Sequence, residues 1–153
     1  MVEKLENGLL RNIGVLSRAI HYISDVKYKE FNLQKGQFIF LTRICENHKI
    51  NFIDLSNMLK VDKTTTTKAV KKLIDLGYIY REVDAFDRRS YNLLPTSIGV
   101  DIYNNIINEE NRQINVCLDG FNSEERELAL KLIDKMSKNI ETDWIKLKGK
   151  GEK

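Results

Sequence analysis

The chain has 153 residues, enough for one domain with a real core, and its 42% apolar and 31% charged content is ordinary for a globular protein. A net charge of +3 is too small for the whole-molecule field to name a partner, so charge has to be read locally. The opening MVEKLENGLL has no apolar signal core, and the longest run of large apolar residues is Phe38-Ile39-Phe40-Leu41; neither a secretion signal nor a membrane span is expected. The expected location is the cytoplasm, where Cys45 and Cys117 stay thiols.

From about Val2 to Tyr28, Leu5, Leu9, Ile13, Leu16, Ile20 and Ile23 recur at three- and four-residue steps, which predicts a long amphipathic helix. At ~1.5 Å per residue it would span about 40 Å. Phe31-Asn32-Leu33 breaks it. Gln34-Lys35-Gly36-Gln37 opens a second helix through Phe38, Phe40, Leu41 and Ile44 to about Asn47, rich enough in large apolar groups to be central. Lys49-Ile50-Asn51 reads as a connection. Asn51, with Asp54 three residues on, is a helix N-cap, and the short helix it starts should bury Phe52, Leu55, Met58 and Leu59 before stopping near Lys60.

Asp62 caps the next helix, with Thr66, Ala69, Val70, Leu73 and Ile74 on one stripe and Gly77 at its end. Its other side carries Thr64, Lys68, Lys71 and Lys72, flanked by Thr65 and Thr67. Between Lys60 and Lys72 five lysines face one acid, Asp62. Four consecutive threonines are poor helix formers. They serve either as first-turn filler or as hydroxyls and methyls for phosphates and base edges. Two short helices in tandem, the second basic-faced, make a helix-turn-helix, here without the glycine common in the turn.

Tyr78 to Val83 and Ser90 to Leu94 alternate as strands do, and between them Asp84-Ala85-Phe86-Asp87-Arg88-Arg89 is a polar loop with two arginines. Helix, strand, basic loop, strand is the order of a winged helix. It points to duplex DNA, with the helix in the major groove and Arg88 or Arg89 in the flanking minor groove. Asp87 is read as orienting Arg89 in the wing, with a simple loop cap as the plainer alternative; Arg81 is read as a sheet-face salt bridge to Glu82 or Asp84. Pro95 marks the junction of strand and helix. Thr96 caps a long helix through Ile98, Ile102, Ile106 and Ile107 towards Cys117, ended by Asp119-Gly120. Asn122 and Glu125 form a capping box for the last helix, with Leu128, Leu132, Ile133, Met136, Ile140, Trp144 and Leu147. The lysine-rich end, 148–153, reads as a flexible tail.

The fold class expected is therefore mainly α with a small β-hairpin wing. The winged helix-turn-helix would occupy residues 32–95, flanked by long terminal dimerisation helices in 1–31 and 96–147. A compact chain of this size has a radius of gyration of about 15 Å. The long helices cannot all bury their stripes on so small a winged unit, which argues for a two-fold homodimer over the plainer alternative, a monomeric helical bundle with a wing attached.

The ordered motifs resemble those of the MarR (multiple antibiotic resistance regulator) family. They are Leu33 to Phe38, Val61 to Lys68 with Leu73 to Gly77, the wing pattern of Arg81, Asp84, Asp87 and Arg89, and Pro95-Thr96-Ser97-Ile98-Gly99 in place of Leu-Thr-x-x-Gly. The resemblance implies a homodimeric transcription factor, usually a repressor, released by a small-molecule effector that is often aromatic or phenolic. The DNA-binding residues expected are Thr64, Thr65, Thr67, Lys68, Lys71, Lys72, Arg88 and Arg89. No cofactor or metal is expected. No catalytic Ser/His/Asp, Cys/His or phosphate-cradling glycine arrangement is present. Two rival readings keep the fold and change the role: a metal- or redox-responsive regulator using Cys45 with His48, or Cys117, and a winged helix that binds protein or RNA. Tyr22, Phe38 and Phe40 lie near the expected effector crevice but serve the core equally well, so no ligand site is assigned.

Overall fold

A computed structural model describes residues 1–151. In chain order it contains α1 (Leu9–Lys27), a 3-10 turn (Tyr28–Phe31), α2 (Phe38–Glu46), β1 (Ile50–Asn51), α3 (Phe52–Leu59), α4 (Lys63–Asp75), β2 (Ile79–Val83), β3 (Tyr91–Pro95), α5 (Ser97–Cys117) and α6 (Ser123–Gly151). The chain forms two compact units, one ending at Glu110 and the other starting at Asn111.

In the first unit, α1 begins at Leu9, seven residues later than the apolar periodicity predicts. Gly8 precedes it, and the Asn7 side chain accepts the Leu9 N–H at 3.0 Å. Glycine and asparagine are weak helix formers next to a residue that offers a side-chain bond to the first turn. Leu5 thus lies outside the helix, and α1 spans about 28 Å, not 40 Å. The break after it holds: Asn32 has φ +59°. The following turn carries two more left-handed residues, Lys35 and Gly36, so α2 starts at Phe38 and not at Gln34. Asp25 accepts the Gly36 N–H at 3.0 Å, pinning that turn to α1.

The core gathers Leu33, Leu41, Ile44, Leu55, Leu73, Ile79, Leu93 and Ile106, all buried. Phe38 and Phe40 join it, whereas Tyr22 is exposed. Of the residues expected to be buried on α3, Leu55 is fully so, Phe52 and Leu59 are half-buried, and Met58 is exposed. Met58 lies three residues from Leu55 but rotates off a stripe that, in so short a helix, is centred on Leu55 and Ser56.

The hairpin becomes a three-stranded antiparallel sheet in the order β1-β3-β2. Lys49 to Asn51, expected as connection, includes a strand: Ile50 pairs with Leu93 and Asn51 with Asn92. β2 and β3 pair from Ile79 opposite Pro95 to Val83 opposite Tyr91. Pro95 thus ends a strand, as a residue without an N–H can. Thr96 then ties sheet and helix together. Its hydroxyl donates to the Gly77 carbonyl at 2.6 Å and accepts the Gly99 N–H at 3.1 Å, while its own N–H bonds the Tyr78 carbonyl. A Cβ at Gly99 would collide with that Tyr78 carbonyl, which is why glycine stands there.

In the second unit, Gly120 takes φ +81° after α5. Asn122 and Glu125 form the expected capping box, each side chain accepting the other's N–H at 2.8 and 3.1 Å. Arg126 donates to the Leu118 carbonyl, closing the α5–α6 turn. α6 continues through Gly151, so it extends into the segment expected as a flexible tail; residues 152–153 of that tail lie outside the described residues.

Candidate nucleic-acid interface

The helix-turn-helix is built from two caps and a turn without glycine. Asn51 accepts the Asp54 N–H at 2.8 Å and starts α3. α3 ends at Lys60, which adopts φ +57°, with the Val61 N–H reaching back to the Ser56 carbonyl and the Lys60 N–H to Asn57. This is the bonding of a glycine-terminated helix with lysine in the glycine position. The Lys60 ammonium donates to the Asn57 carbonyl at 2.6 Å. Asp62 then accepts the Thr65 N–H at 2.6 Å and caps α4. That bond, and to a smaller degree the nearby Lys68 charge, holds the Asp62 carboxyl below the usual carboxylate range.

The four threonines divide by face. Thr66 is fully buried and hydrogen-bonded to Ser56. Thr64, Thr65 and Thr67 are exposed, and the Thr67 hydroxyl donates back to the Lys63 carbonyl at 2.8 Å. Lys68 and Lys71 are exposed, while Lys72 is half-buried near the helix end. α4 closes as expected at Gly77, φ +77°, with the Tyr78 N–H on the Leu73 carbonyl. Beside it Thr67, Lys71 and Ile74 line a shallow groove of about 340 Å3 with Phe52 of α3 and Arg81 of β2.

In the wing, Arg81 does not form the expected salt bridge to Glu82 or Asp84. Its guanidinium stacks 4.7 Å over the Tyr91 ring, and Glu82 pairs with Lys49 at 3.2 Å. Neighbours along a strand point to opposite faces; Glu82 therefore lies away from Arg81, and the partner comes from β3. Asp84 accepts the N–H groups of Phe86 at 2.8 Å and Asp87 at 2.9 Å, which lowers its pKa. Asp87 accepts the backbone N–H of Arg89 at 3.0 Å. Arg88 and Arg89 are exposed on this braced loop, as is Phe86. Asp84 is thus a further organiser of the loop, and its signal in the sequence is an aspartate two and three residues before the N–H groups it accepts.

Among the described residues, no three His, Cys, Asp or Glu side chains come together in a way that could hold an ion. Cys45 is half-buried, and desolvation, with the Glu46 charge adding to it, pushes its pKa up to about 11. A thiol so protonated is a poor ligand and a poor nucleophile.

This arrangement defines a winged helix-turn-helix with a hydroxyl- and lysine-bearing helix beside an arginine-tipped hairpin. The model of the MarR family matches residues 33–91, which covers α2 through the wing. The HTH-type transcriptional regulator YybA of Bacillus subtilis is 40% identical over 147 residues, 96% of this chain and 97% of that protein. A MarR protein of Peptoclostridium difficile superposes with a TM-score of 0.90 at 55% identity, covering 97% of both chains. A MarR family regulator of Listeria monocytogenes, solved with a 26-mer DNA, gives a TM-score of 0.89 at 37% identity over 97% of this chain and 96% of that one. The chain belongs to the MarR family of winged-helix transcription factors. It is a DNA-binding regulator and not an enzyme. No helix among the described residues is long and apolar enough to cross a membrane.

Proposed function

We propose that the chain is a cytoplasmic, homodimeric repressor that reads a pseudo-palindromic operator and is released by a small-molecule effector. Residues 32–95 bind the duplex; 1–31 and 96–147 form the dimer. The observation that carries the reading is the exposed face of α4, with Thr64, Thr65, Lys68 and Lys71, next to a wing whose braced loop presents Arg88 and Arg89. In each half-site the start of α4 enters the major groove. Thr64, Thr65 and Thr67 meet bases or phosphates, Lys68 donates to guanine or phosphate, and Lys71 and Lys72 take phosphates. Arg88 or Arg89 enters the flanking minor groove, where a narrow A·T tract concentrates negative potential. Asp87 stays off the DNA, fixing the backbone at Arg89.

The dimer is supported by apolar side chains left in water on both terminal helices. Leu10 and Val15 of α1 are 73% and 60% exposed, and Ile140 and Leu147 of α6 are 62% and 69% exposed. Single exposed apolar residues are ordinary, but repeated ones along a helix mark an interface. Two-fold symmetry then sets the half-sites about 10 base pairs apart. The likeness to the Listeria regulator solved with DNA supports the duplex as ligand, and the MarR match supports repression and effector release as the mode of regulation.

The test is selection of duplexes from a random pool at two salt concentrations. Enrichment of a pseudo-palindrome with half-sites one helical turn apart, and affinity falling steeply with salt, is the expected result. Absence of any enriched sequence would overturn the reading. Arg89→Ala that kept full affinity on every duplex would remove the wing from it.

A further inference from the structure

Phe86 is the most exposed aromatic residue of the chain, at 100%. It stands in the loop 84–90, and that loop is held by its own hydrogen bonds. Asp84 takes the N–H groups of Phe86 and Asp87, and Asp87 takes that of Arg89. Backbone bonds at 3.0 Å from Asp84 to Ser90 and from Ser90 to Asp87 close its base. Both loop carboxylates are thus engaged in bracing the backbone. What the tip offers to a partner is a phenyl ring, a small neighbour in Ala85, and the guanidinium groups of Arg88 and Arg89.

A large ring fixed in water gains by burial only when a partner arrives. The partner must be anionic at its rim, to suit the two arginines, and apolar within, to suit the ring. A duplex minor groove meets both needs, with phosphates on its walls and, where a base step opens at its floor, the apolar faces of the base pairs. We propose that Phe86 is a wedge that the wing presses into the minor groove flanking each half-site, against the base stack, alongside the arginine that enters there. This rests on the duplex-reading function proposed above. The wedge adds specificity outside the base contacts of α4. It favours a pyrimidine–purine step at its landing point, because such steps unstack and kink most readily.

The experiment uses the full chain and a duplex enriched by the wild type, with 2-aminopurine at the flanking step. Wild type should raise its fluorescence on binding; Phe86→Ala should abolish the rise and weaken binding roughly tenfold on duplexes with a flexible step. Phe86→Leu should keep most of both effects, since a leucine side chain can also wedge. The salt slope should be unchanged in Phe86→Ala, which removes no charge, whereas Arg89→Ala should lower it by about one. Phe86→Ala with wild-type affinity and step preference would overturn the wedge alone. So would a wild-type complex without any unstacking signal. A wild type that enriched no sequence would overturn the duplex reading itself.

Discussion

The Ser56 hydroxyl donates to the Thr66 hydroxyl at 2.7 Å, and both side chains are buried where α3 crosses α4. The Thr66 hydroxyl in turn donates a hydrogen bond to the Asp62 carbonyl at 3.1 Å, so one chain of bonds links the first helix, the second helix and its cap. An apolar contact would let the helices slide. A directional bond in a dry site sets their relative rotation, and with it the direction in which Thr64, Thr65 and Lys68 face.

Thr66→Val should therefore destabilise the fold by about 1–3 kcal/mol, because it strands the Ser56 hydroxyl without its acceptor. Adding Ser56→Ala should recover part of that loss. Urea unfolding of the two single variants and the double variant measures the coupling. Additive losses would mean that the bond contributes no coupling between α3 and α4.

Lys60 holds a left-handed conformation at the turn, where glycine has no Cβ to strain. Lys60→Gly should raise stability by about 0.5–1 kcal/mol, read as a higher urea midpoint at unchanged slope. A lower midpoint would show that the bond from the Lys60 ammonium to Asn57 outweighs the strain.

Asp62 ties stability to acid. Its folded pKa lies below the unfolded value of 3.8, so between the two the unfolded chain binds more protons and stability rises with pH. The contribution is complete above 3.8 and disappears as pH falls through the folded value. Thermal melts of wild type and Asp62→Ala should differ most near neutrality, by roughly 3 °C, and converge in acid. A gap that stayed constant down to the lowest pH would contradict the cap.

Cys45 should remain a thiol under ordinary conditions. In a Cys117→Ser background, thiolate absorbance near 240 nm should appear only as pH approaches about 11. Here the folded pKa is raised above the ordinary 9.0, so the folded chain binds more protons between these values and stability falls as pH climbs through them. Peroxide or zinc should leave DNA binding intact in that background. Release by either would reinstate Cys45 as a sensor.

Features whose causes are local are legible in the chain of residues alone. The Asp62, Asn51 and Asn122–Glu125 caps and the glycine stop at Gly77 each depend on residues within a few positions, and all stand as read. The basic front of α4 and the arginine loop were legible for the same reason: helical and strand periods place neighbouring residues on known faces. Features that depend on distant partners follow only from packing. Ile50 and Asn51 are too short to show a period and are a strand only because Leu93 and Asn92 lie beside them. Arg81 meets Tyr91 through strand register, not through its neighbours Glu82 and Asp84. Thr66 and Thr67 are adjacent in a run of four, yet Thr66 is locked to Ser56, ten residues away, and Thr67 bonds within its own helix. A hydroxyl's role follows from the acceptor within its reach, and only the packing of one helix on another supplies an acceptor so far along the chain.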